Sequence, residues 1–308
     1  MIKRAIAIRA GMLATCLALA AFLLSPGSAL AKDQTRPVVL VHGFEGSGVS
    51  NCTHKWGDLM TMYRKWGFTG PFLPVLYYAG DTACKPRSQY GAMLPVRIAS
   101  GTNDTHIQTY SRDWAWFIYN NFSSHGQPVN VVAHSMGGLI VRYAIAAVQM
   151  HKKGFPPFVV VPSVVTFGTP HAGIKGYKAL GCYALYGAYE CLQFWEEVGQ
   201  SGFIGWLEDH AQNPQGAYGT WWSVAGSHAD DNVGAKSAVA MSAPYKIRWA
   251  SEVAIEHGDF MHDQAVNAFN VDAHCWSTTS GANYGDMSEG TCYHPLQWSG
   301  TILAAYGY

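Results

Sequence analysis

Residues 129–142 constrain the fold of this chain more than any other stretch, because they join a buried strand, a tight turn and a helix. The apolar, β-branched run Val129–Val132 predicts a short buried strand. Ser135 follows it, among the small residues Ala133, Gly137 and Gly138. Apolar residues then recur at helical spacing, at Leu139, Ile140, Tyr143, Ala144 and Ala147.

A strand, a tight turn and a helix in this order are the setting of a nucleophile elbow. The tight turn requires small neighbours, and its strain exposes the Ser135 hydroxyl at the top of a sheet, above the helix N-terminus. The usual pattern is G-x-S-x-G, and Ala133 replaces its first glycine with another small residue. The alternative is a serine that caps an ordinary helix, followed by glycines that serve packing.

The first 31 residues have the pattern of a signal peptide. A basic start precedes an apolar stretch over 11–24, and Ala29-Leu30-Ala31 forms a small-x-small cleavage site. We therefore expect a secreted protein, extracellular or periplasmic. An uncleaved signal anchor is one alternative, and a lipoprotein attached through Cys16 is another.

Removal of residues 1–31 leaves one α/β domain over 32–308, a length of 277 residues. Loss of three basic residues leaves 17 Lys and Arg against 20 Asp and Glu, a net charge of −3. This balance, with no basic stripe, argues against nucleic acid as a partner. No later stretch is apolar for long enough to span a bilayer, so we expect no stable membrane insertion. The oligomeric state stays open.

Six cysteines remain once Cys16 is removed, and an even number in an exported chain predicts disulfides. Proximity along the chain favours the pairs Cys52–Cys84, Cys182–Cys191 and Cys275–Cys292, although sequence order does not determine connectivity. The absence of a C-x-x-C pair argues against a zinc site. We expect neither a metal ion nor a cofactor.

A glycine-rich loop, His42–Gly48, follows a predicted strand over 37–41. It lacks the G-K-[ST] of a P-loop, and its glycine spacing does not fit a dinucleotide fingerprint. We interpret it as an oxyanion loop, in which glycines allow the backbone N–H of Phe44 to approach a substrate oxygen. A plain turn is the alternative.

Strands and helices alternate along the rest of the chain, which predicts a mostly parallel sheet flanked by helices. The predicted strands cover 71–78, 158–167, 220–226 and 249–255, and the predicted helices cover 56–66, 104–122 and 263–269. Residues 80–103 are predicted to be a loop. The aromatic, charge-poor segment 174–217 is predicted to be a cap or lid inserted after a core strand, with ordinary core as the alternative. A tail over 271–308 follows, pinned by Cys275–Cys292.

A serine nucleophile needs a base and an acid that orients the base. In one known order, serine, acid and histidine each follow a strand. Asp230 or Asp231 follows the predicted strand 220–226, and His257 follows the predicted strand 249–255. The alternative bases are His262, His274 and His294, whereas His42 and His134 are expected to shape the site.

These motifs together resemble the α/β-hydrolase superfamily, and within it the secreted bacterial lipases and esterases with an A-x-S-x-G box, such as small Bacillus and Streptomyces class 2 lipases. The resemblance covers about residues 36–270, and it is carried by Val41-His42-Gly43-Phe44, Ala133-His134-Ser135-Met136-Gly137-Gly138 and Glu256-His257-Gly258-Asp259-Phe260. Asp231-Asn232-Val233 is similar to the family's Asp-x-Val, which favours Asp231 as the acid. The resemblance implies an oxyanion hole formed by the N–H groups of Phe44 and Met136.

The resemblance also implies a carboxylic ester hydrolase, a triacylglycerol lipase or carboxylesterase, that acts through an acyl-enzyme with Ser135, Asp231 and His257. Its partner would be an ester or lipid substrate, including one held at an interface. An extracellular polyester depolymerase shares the A-H-S-M-G box, so a polymer substrate is an alternative. Acyl transfer to a non-water acceptor and a non-catalytic binding protein are further alternatives. The 174–217 insert and the tail depart from the small lipases and leave the acyl chain length open.

The proposed disulfides predict that mature, unreduced protein contains no free thiol, because three pairs use all six cysteines. Each link typically contributes ~2–4 kcal/mol to stability. Titration with a chromogenic disulfide reagent, before and after reduction under denaturing conditions, measures the free thiols. Two or more reactive thiols in native, unreduced protein would contradict the pairing.

Overall fold

The candidate site stands at one edge of a parallel β-sheet. The computed structural model describes residues 34–46, 51–81, 93–176, 191–262, 273–278 and 287–306, all within the unit Asp33–Tyr308. In this part of the chain, nine strands form one sheet in the order β3-β2-β1-β4-β5-β6-β7-β8-β9. The strands are β1 (Val38–Val41), β2 (Phe72–Tyr78), β3 (Val96–Gly101), β4 (Asn130–His134), β5 (Ser163–Phe167), β6 (Trp221–Ser227), β7 (Tyr245–Trp249), β8 (Ala273–Thr278) and β9 (Ser288–Cys292).

Strands β1 to β7 pair in parallel, and β8 and β9 add an antiparallel edge. The helices of the described residues are α1 (Cys52–Lys65), α2 (Ile107–Asn121), α3 (Met136–Gln149), α4 (Leu192–Glu197), α5 (Gly202–His210), α6 (Ala235–Ala238) and α7 (Pro295–Tyr306). This arrangement confirms the predicted α/β-hydrolase fold.

Two apolar layers cover the faces of the sheet, because successive strand residues point to opposite sides. Val39 and Val131 belong to the layer that contains α2, α3 and α5. Leu40 and Val132 belong to the layer that contains α1 and α7. Burial on both faces explains why the central strands are continuous apolar runs.

Arg142 is a fully buried cation in helix α3, where most residues are apolar. Its Nε donates to Ala211 O (2.8 Å), its Nη1 to His171 O (2.7 Å) and its Nη2 to Leu207 O (2.9 Å). Burial lowers the pKa of the guanidinium to about 9. The side chain therefore ties α3 to the end of α5 and to the loop after β5.

Two sequence predictions of secondary structure are wrong. Residues 96–101 form the edge strand β3 inside the predicted loop 80–103, and Arg97 anchors this strand through Nη1 to Tyr78 O (2.8 Å). The predicted strand 249–255 begins where β7 ends, and Ser251–Val253 is a 3₁₀ turn. Lys246 and Arg248 interrupt the apolar pattern of β7, yet both are buried in the sheet. The predicted helix 263–269 lies outside the described residues.

The disulfide Cys275–Cys292 is confirmed and joins β8 to β9. Cys52 and Cys191 are also disulfide-bonded, and their predicted partners, Cys84 and Cys182, lie outside the described residues. The predicted signal peptide lies outside them as well. None of the helices in the described part of the chain has the length and apolar character needed to cross a bilayer.

The described part of the 174–217 insert contains α4 and α5, and α4 packs on the start of α2. Glu196 accepts a hydrogen bond from the Ile107 N–H (2.8 Å), so it serves the first turn of α2. Gln193 donates through Nε2 to the carbonyl oxygens of Thr102 (3.1 Å) and Thr105 (2.8 Å). Glu197 is buried on the same face as Gln193, and its Oε1 has no hydrogen-bond partner in the described part of the chain.

The buried Glu197 carboxyl predicts that the stability of the insert depends on pH. Burial, with a smaller contribution from the charge of Glu196, raises the pKa of the Glu197 carboxyl from 4.5 to about 8. The folded state favours the neutral acid, so its contribution is complete below about pH 4.5 and is lost as the pH rises through about 8. Glu197→Gln, which mimics the neutral acid, should therefore raise the melting temperature more at alkaline than at acidic pH.

Melting temperatures of parent and variant across this pH range measure the effect. Glu208→Gln is the matched control, because Glu208 is exposed on α5 and its substitution should show no such trend. A stability difference between Glu197→Gln and parent that does not change with pH would contradict the prediction.

Candidate active site

Ser135 occupies the strained turn that the sequence predicts. Its backbone has φ 55° and ψ −134°, a conformation that non-glycine residues rarely adopt. The Ser135 N–H donates to Phe167 O (2.9 Å), and Thr169 Oγ1 donates to Ser135 O (2.9 Å). The hydroxyl does not cap α3. These features agree with a nucleophile elbow and disagree with an ordinary helix cap.

The glycines after Ser135 allow α3 to approach its neighbours closely. A Cβ on Gly137 would lie 2.3 Å from the carbonyl oxygens of Val41 and His42, and one on Gly138 would lie 2.1 Å from Thr169 Oγ1. Both positions exclude a side chain. The start of α3 is therefore packed directly against the loops that follow β1 and β5.

Ser135, His257 and Asp230 form a continuous row of hydrogen bonds. His257 Nε2 lies 3.0 Å from Ser135 Oγ, and His257 Nδ1 lies 2.8 Å from Asp230 Oδ2. A carboxylate accepts hydrogen bonds, so Nδ1 carries the proton and Nε2 is left to accept one from the hydroxyl. The Asp230 side chain is buried, whereas that of His257 is 18% exposed.

The choice of Asp231 as the acid is wrong, because Asp230 is the partner of His257. Asp230 Oδ1 accepts the N–H groups of Asn232 (2.8 Å) and Val233 (2.9 Å), which turns its carboxylate inward. Asp231 is exposed. The loop therefore has its acid three residues before Val233, rather than two as the Asp-x-Val similarity suggested.

His134 contacts both the backbone and the ring of His257. Its Nε2 donates to the carbonyl oxygen of His257 (2.7 Å), and the two rings lie 4.6 Å apart. Burial, followed by the proximity of His257, lowers the pKa of His134 well below its ordinary value. His134 is therefore a neutral donor that shapes the site, as expected from the sequence.

Gly168 was not singled out by sequence reasoning, although it follows β5 directly. It has φ 51°, and a Cβ there would lie 3.0 Å from Asp230 Oδ2 and 3.2 Å from His257 Nδ1. A glycine at the end of a strand in an α/β sequence was the available signal. Its missing side chain leaves room for the histidine–carboxylate bond.

Two of the alternative histidines make other contacts. His262 Nδ1 lies 3.2 Å from Asp58 Oδ2. His274 lies between Glu252 and Glu289, with Nε2 at 2.8 Å from Glu289 Oε1. These contacts leave His257 as the histidine beside Ser135.

The loop after β1 contacts the nucleophile. A Cβ on Gly43 would lie 2.5 Å from Ser135 Cβ and 3.0 Å from Ser135 Oγ, so the Gly43 backbone passes directly beside the hydroxyl. Phe44 follows, and Met136 is the first residue of α3, where N–H groups have no acceptor within the helix. Both predicted oxyanion donors therefore belong to segments next to Ser135.

Two concavities lined by described residues differ in their relation to this site. One of about 490 Å³ is lined by the loop that contains Asp230 and by the segment 172–175. A second, of about 780 Å³, lies at the starts of β4, β5 and β6, the opposite end of these strands. None of Ser135, His257 and Asp230 lines this second concavity.

Comparison with protein families matches residues 31–210 to the family described as "Putative serine esterase (DUF676)". The matched range contains Phe44, Ser135 and Met136, and it ends before Asp230 and His257. The comparison with curated proteins gave no match.

Several solved structures are similar to this chain at low identity. Phospholipase PlaB from Legionella pneumophila, in complex with thio-NAD, has 20% identity and a TM-score of 0.45; the match covers 64% of this chain and 38% of PlaB. The lin2722 product of Listeria innocua has 14% identity and a TM-score of 0.47, covering 75% and 90%. Mature lipase BlEst2 from Bacillus licheniformis has 16% identity and a TM-score of 0.41, covering 67% and 71%.

The chain spans 38% of the length of PlaB. The fold assignment rests on the strand order and the parallel pairing described above, because the identities and TM-scores are low. The esterase assignment rests on the family match.

The geometry predicts which of Asp230 and Asp231 is needed for the rate of ester hydrolysis. Asp230→Asn should lower kcat for an ester by a factor on the order of 10⁴, because the amide would favour the wrong histidine tautomer. Asp231→Asn should stay within a few-fold of the parent, because the carboxylate that contacts His257 Nδ1 is that of Asp230. Steady-state hydrolysis of a p-nitrophenyl ester, with circular dichroism to verify folding, measures both. The opposite ranking would contradict the row of hydrogen bonds.

Proposed function

Because the chain belongs to the DUF676 serine esterase family, we propose that it hydrolyses carboxylic esters through an acyl-enzyme formed on Ser135. The observation that carries the proposal is the row Ser135–His257–Asp230, with contacts of 3.0 and 2.8 Å, on a strained strand–helix turn. A hydroxyl next to a histidine that a carboxylate orients is the arrangement that activates serine as a nucleophile.

In the proposed reaction, Ser135 Oγ attacks the ester carbonyl carbon while His257 Nε2 takes the hydroxyl proton. Asp230 stabilises the imidazolium and keeps its ring oriented. The N–H groups of Phe44 and Met136 stabilise the negative charge on the former carbonyl oxygen. Collapse of the tetrahedral intermediate breaks the bond to the alcohol oxygen, which leaves with the proton from His257. Water then repeats these steps on the acyl-enzyme and releases the acid.

We propose an ester with an apolar acyl group, in the lipase and esterase range of substrates. Phe44 lies in the loop beside Ser135, and Phe194 of α4 packs edge-to-face on it with ring centroids 4.4 Å apart. The insert therefore supplies an aromatic wall next to the nucleophile loop, which supports its assignment as a cap. Each methylene buried against such a wall is worth about 0.8 kcal/mol.

The protein is proposed to act outside the cytoplasm. The support comes from the signal-peptide pattern of residues 1–31 and from disulfide-bonded Cys52, Cys191, Cys275 and Cys292, which oxidising compartments favour.

Labelling with a fluorophosphonate tests the proposed nucleophile. Parent protein should incorporate one label on Ser135, and Ser135→Ala should incorporate none. Ester turnover by Ser135→Ala should be lower than that of the parent by a factor on the order of 10⁴–10⁶. Ser299→Ala is a matched control, because Ser299 is buried and its hydroxyl bonds to Tyr63 OH (2.7 Å) away from the site. Folded Ser135→Ala protein with activity within tenfold of the parent would reject the proposal.

Substrate selectivity separates the related functions. Rates on p-nitrophenyl esters from acetate to palmitate, on a triglyceride emulsion and on a polyester film distinguish an esterase, a lipase and a polyester depolymerase. An added alcohol acceptor detects acyl transfer. Parent protein that neither takes the label nor turns over any ester would favour a non-catalytic binding protein.

A further inference from the structure

The carbonyl oxygen of Gly43 is held on one side by the Tyr77 hydroxyl, with the His42 ring beside it. Tyr77 OH shares its proton between the carbonyl oxygens of His42 (2.6 Å) and Gly43 (2.8 Å). The Nδ1 of His42 lies 2.8 Å from the same Gly43 oxygen, so the Nδ1–H tautomer of this ring donates to it as well. This oxygen is therefore fixed on the buried side of the loop.

The direction of the Gly43 carbonyl determines the direction of the next N–H. In a planar trans peptide the C=O and the N–H point in opposite directions, and the described residues contain no cis peptide bond. The Phe44 N–H therefore points away from Tyr77. In the part of the chain that the structure describes, it has no hydrogen-bond partner. The adjoining Gly43 backbone lies against Ser135, so this N–H is available to an oxygen at the nucleophile.

Asp81 holds Tyr77 in place. Its buried carboxylate accepts through Oδ2 from the backbone N–H groups of Tyr77 and Tyr78, each at 3.0 Å. The same oxygen lies 3.3 Å from His42 Nε2, a contact in which the Nε2–H tautomer of the ring donates. The His42 ring stacks on that of Tyr77, with centroids 4.0 Å apart and an interplanar angle of 11°. We call Tyr77, His42 and Asp81 the peptide bracket.

A bracket is needed because the position must be glycine. A Cβ on residue 43 would lie 2.5 Å from Ser135 Cβ, which excludes other residues. Glycine gives this peptide more freedom to rotate than any other residue would. A rotated peptide would turn the Gly43 oxygen toward the developing oxyanion, where two negative oxygens repel. Donors fixed beforehand remove that competing orientation and its reorganisation cost.

We propose that Tyr77 and Asp81 are positioning residues that hold the Gly43–Phe44 peptide with its N–H toward the substrate oxygen. This inference rests on the proposed function, because it assigns a role in stabilising the oxyanion. Neither side chain touches the reacting atoms. Both act through the orientation of one backbone donor.

Tyr77→Phe removes the hydroxyl and keeps the ring stacked on His42. Loss of a single oxyanion donor typically costs 10²–10³ in kcat, so partial misorientation should cost on the order of ten- to a hundredfold. KM should change little, because the donor acts mainly in the transition state. The shape of the pH–rate profile should remain that of the parent, because the contacts among Ser135, His257 and Asp230 are untouched.

Tyr63→Phe is the matched control. Tyr63 is also buried, and its hydroxyl also makes a hydrogen bond, to Ser299 Oγ (2.7 Å). Both variants lose the hydrogen bonding of one buried tyrosine hydroxyl. Of these two variants, only Tyr77→Phe should have a lower kcat than the parent. Asp81→Asn is the second variant, and it should lower kcat in the same way while KM stays near the parental value.

A folded Tyr77→Phe protein with kcat within twofold of Tyr63→Phe would overturn the inference. So would a parental kcat in folded Asp81→Asn, or a change confined to KM. Failure of both Tyr77→Phe and Asp81→Asn to fold would assign these two residues to the core alone and overturn the inference. If Ser135→Ala is inactive while the bracket variants keep kcat, only this inference fails. If Ser135→Ala stays active, the proposed function fails and the inference fails with it.

Discussion

The strained backbone of Ser135 is the constraint on which the rest of the structure depends. A positive φ at a non-glycine residue costs free energy, and it persists only where the surroundings hold it. Here the holding contacts come from β5 and its loop: Phe167 O accepts the Ser135 N–H, and Thr169 Oγ1 donates to Ser135 O. Gly137 and Gly138 let α3 pack close enough for these bonds to form. These hydrogen bonds and the close packing of α3 offset the conformational free energy that the Ser135 backbone costs.

The site is assembled by parallel register rather than by proximity along the chain. His42, Ser135, Gly168 and Asp230 each lie just beyond the carboxyl end of a strand, and His257 lies in the loop beyond β7. Because these strands are paired in parallel, their ends meet at one edge of the sheet. Residues that are 122 positions apart in the chain, Ser135 and His257, are thereby brought within 3.0 Å.

Much of this could be predicted from the sequence, and the errors have identifiable causes. Strand β7 begins earlier than the predicted strand 249–255, because the charged residues Lys246 and Arg248 give it little apolar signal although both are buried. Edge strand β3 was missed because a half-exposed strand has little apolar signal. The acid was placed one residue late because a local Asp-x-Val pattern does not show which carboxylate the turn folds inward. That choice depends on the backbone N–H groups of Asn232 and Val233.

The sequence by itself determined the elements whose signal is local. The elbow at Ser135 and the glycine loop after β1 are of this kind, since tight turns demand small residues at fixed positions. Only the tertiary structure decided which distant groups meet them. The selection of Asp230, the bond from His134 to the His257 backbone and the bracket of Tyr77 and Asp81 depend on distances between separate loops. Hydrogen bonds form or fail within a few tenths of an ångström, and only the packed sheet specifies positions that closely.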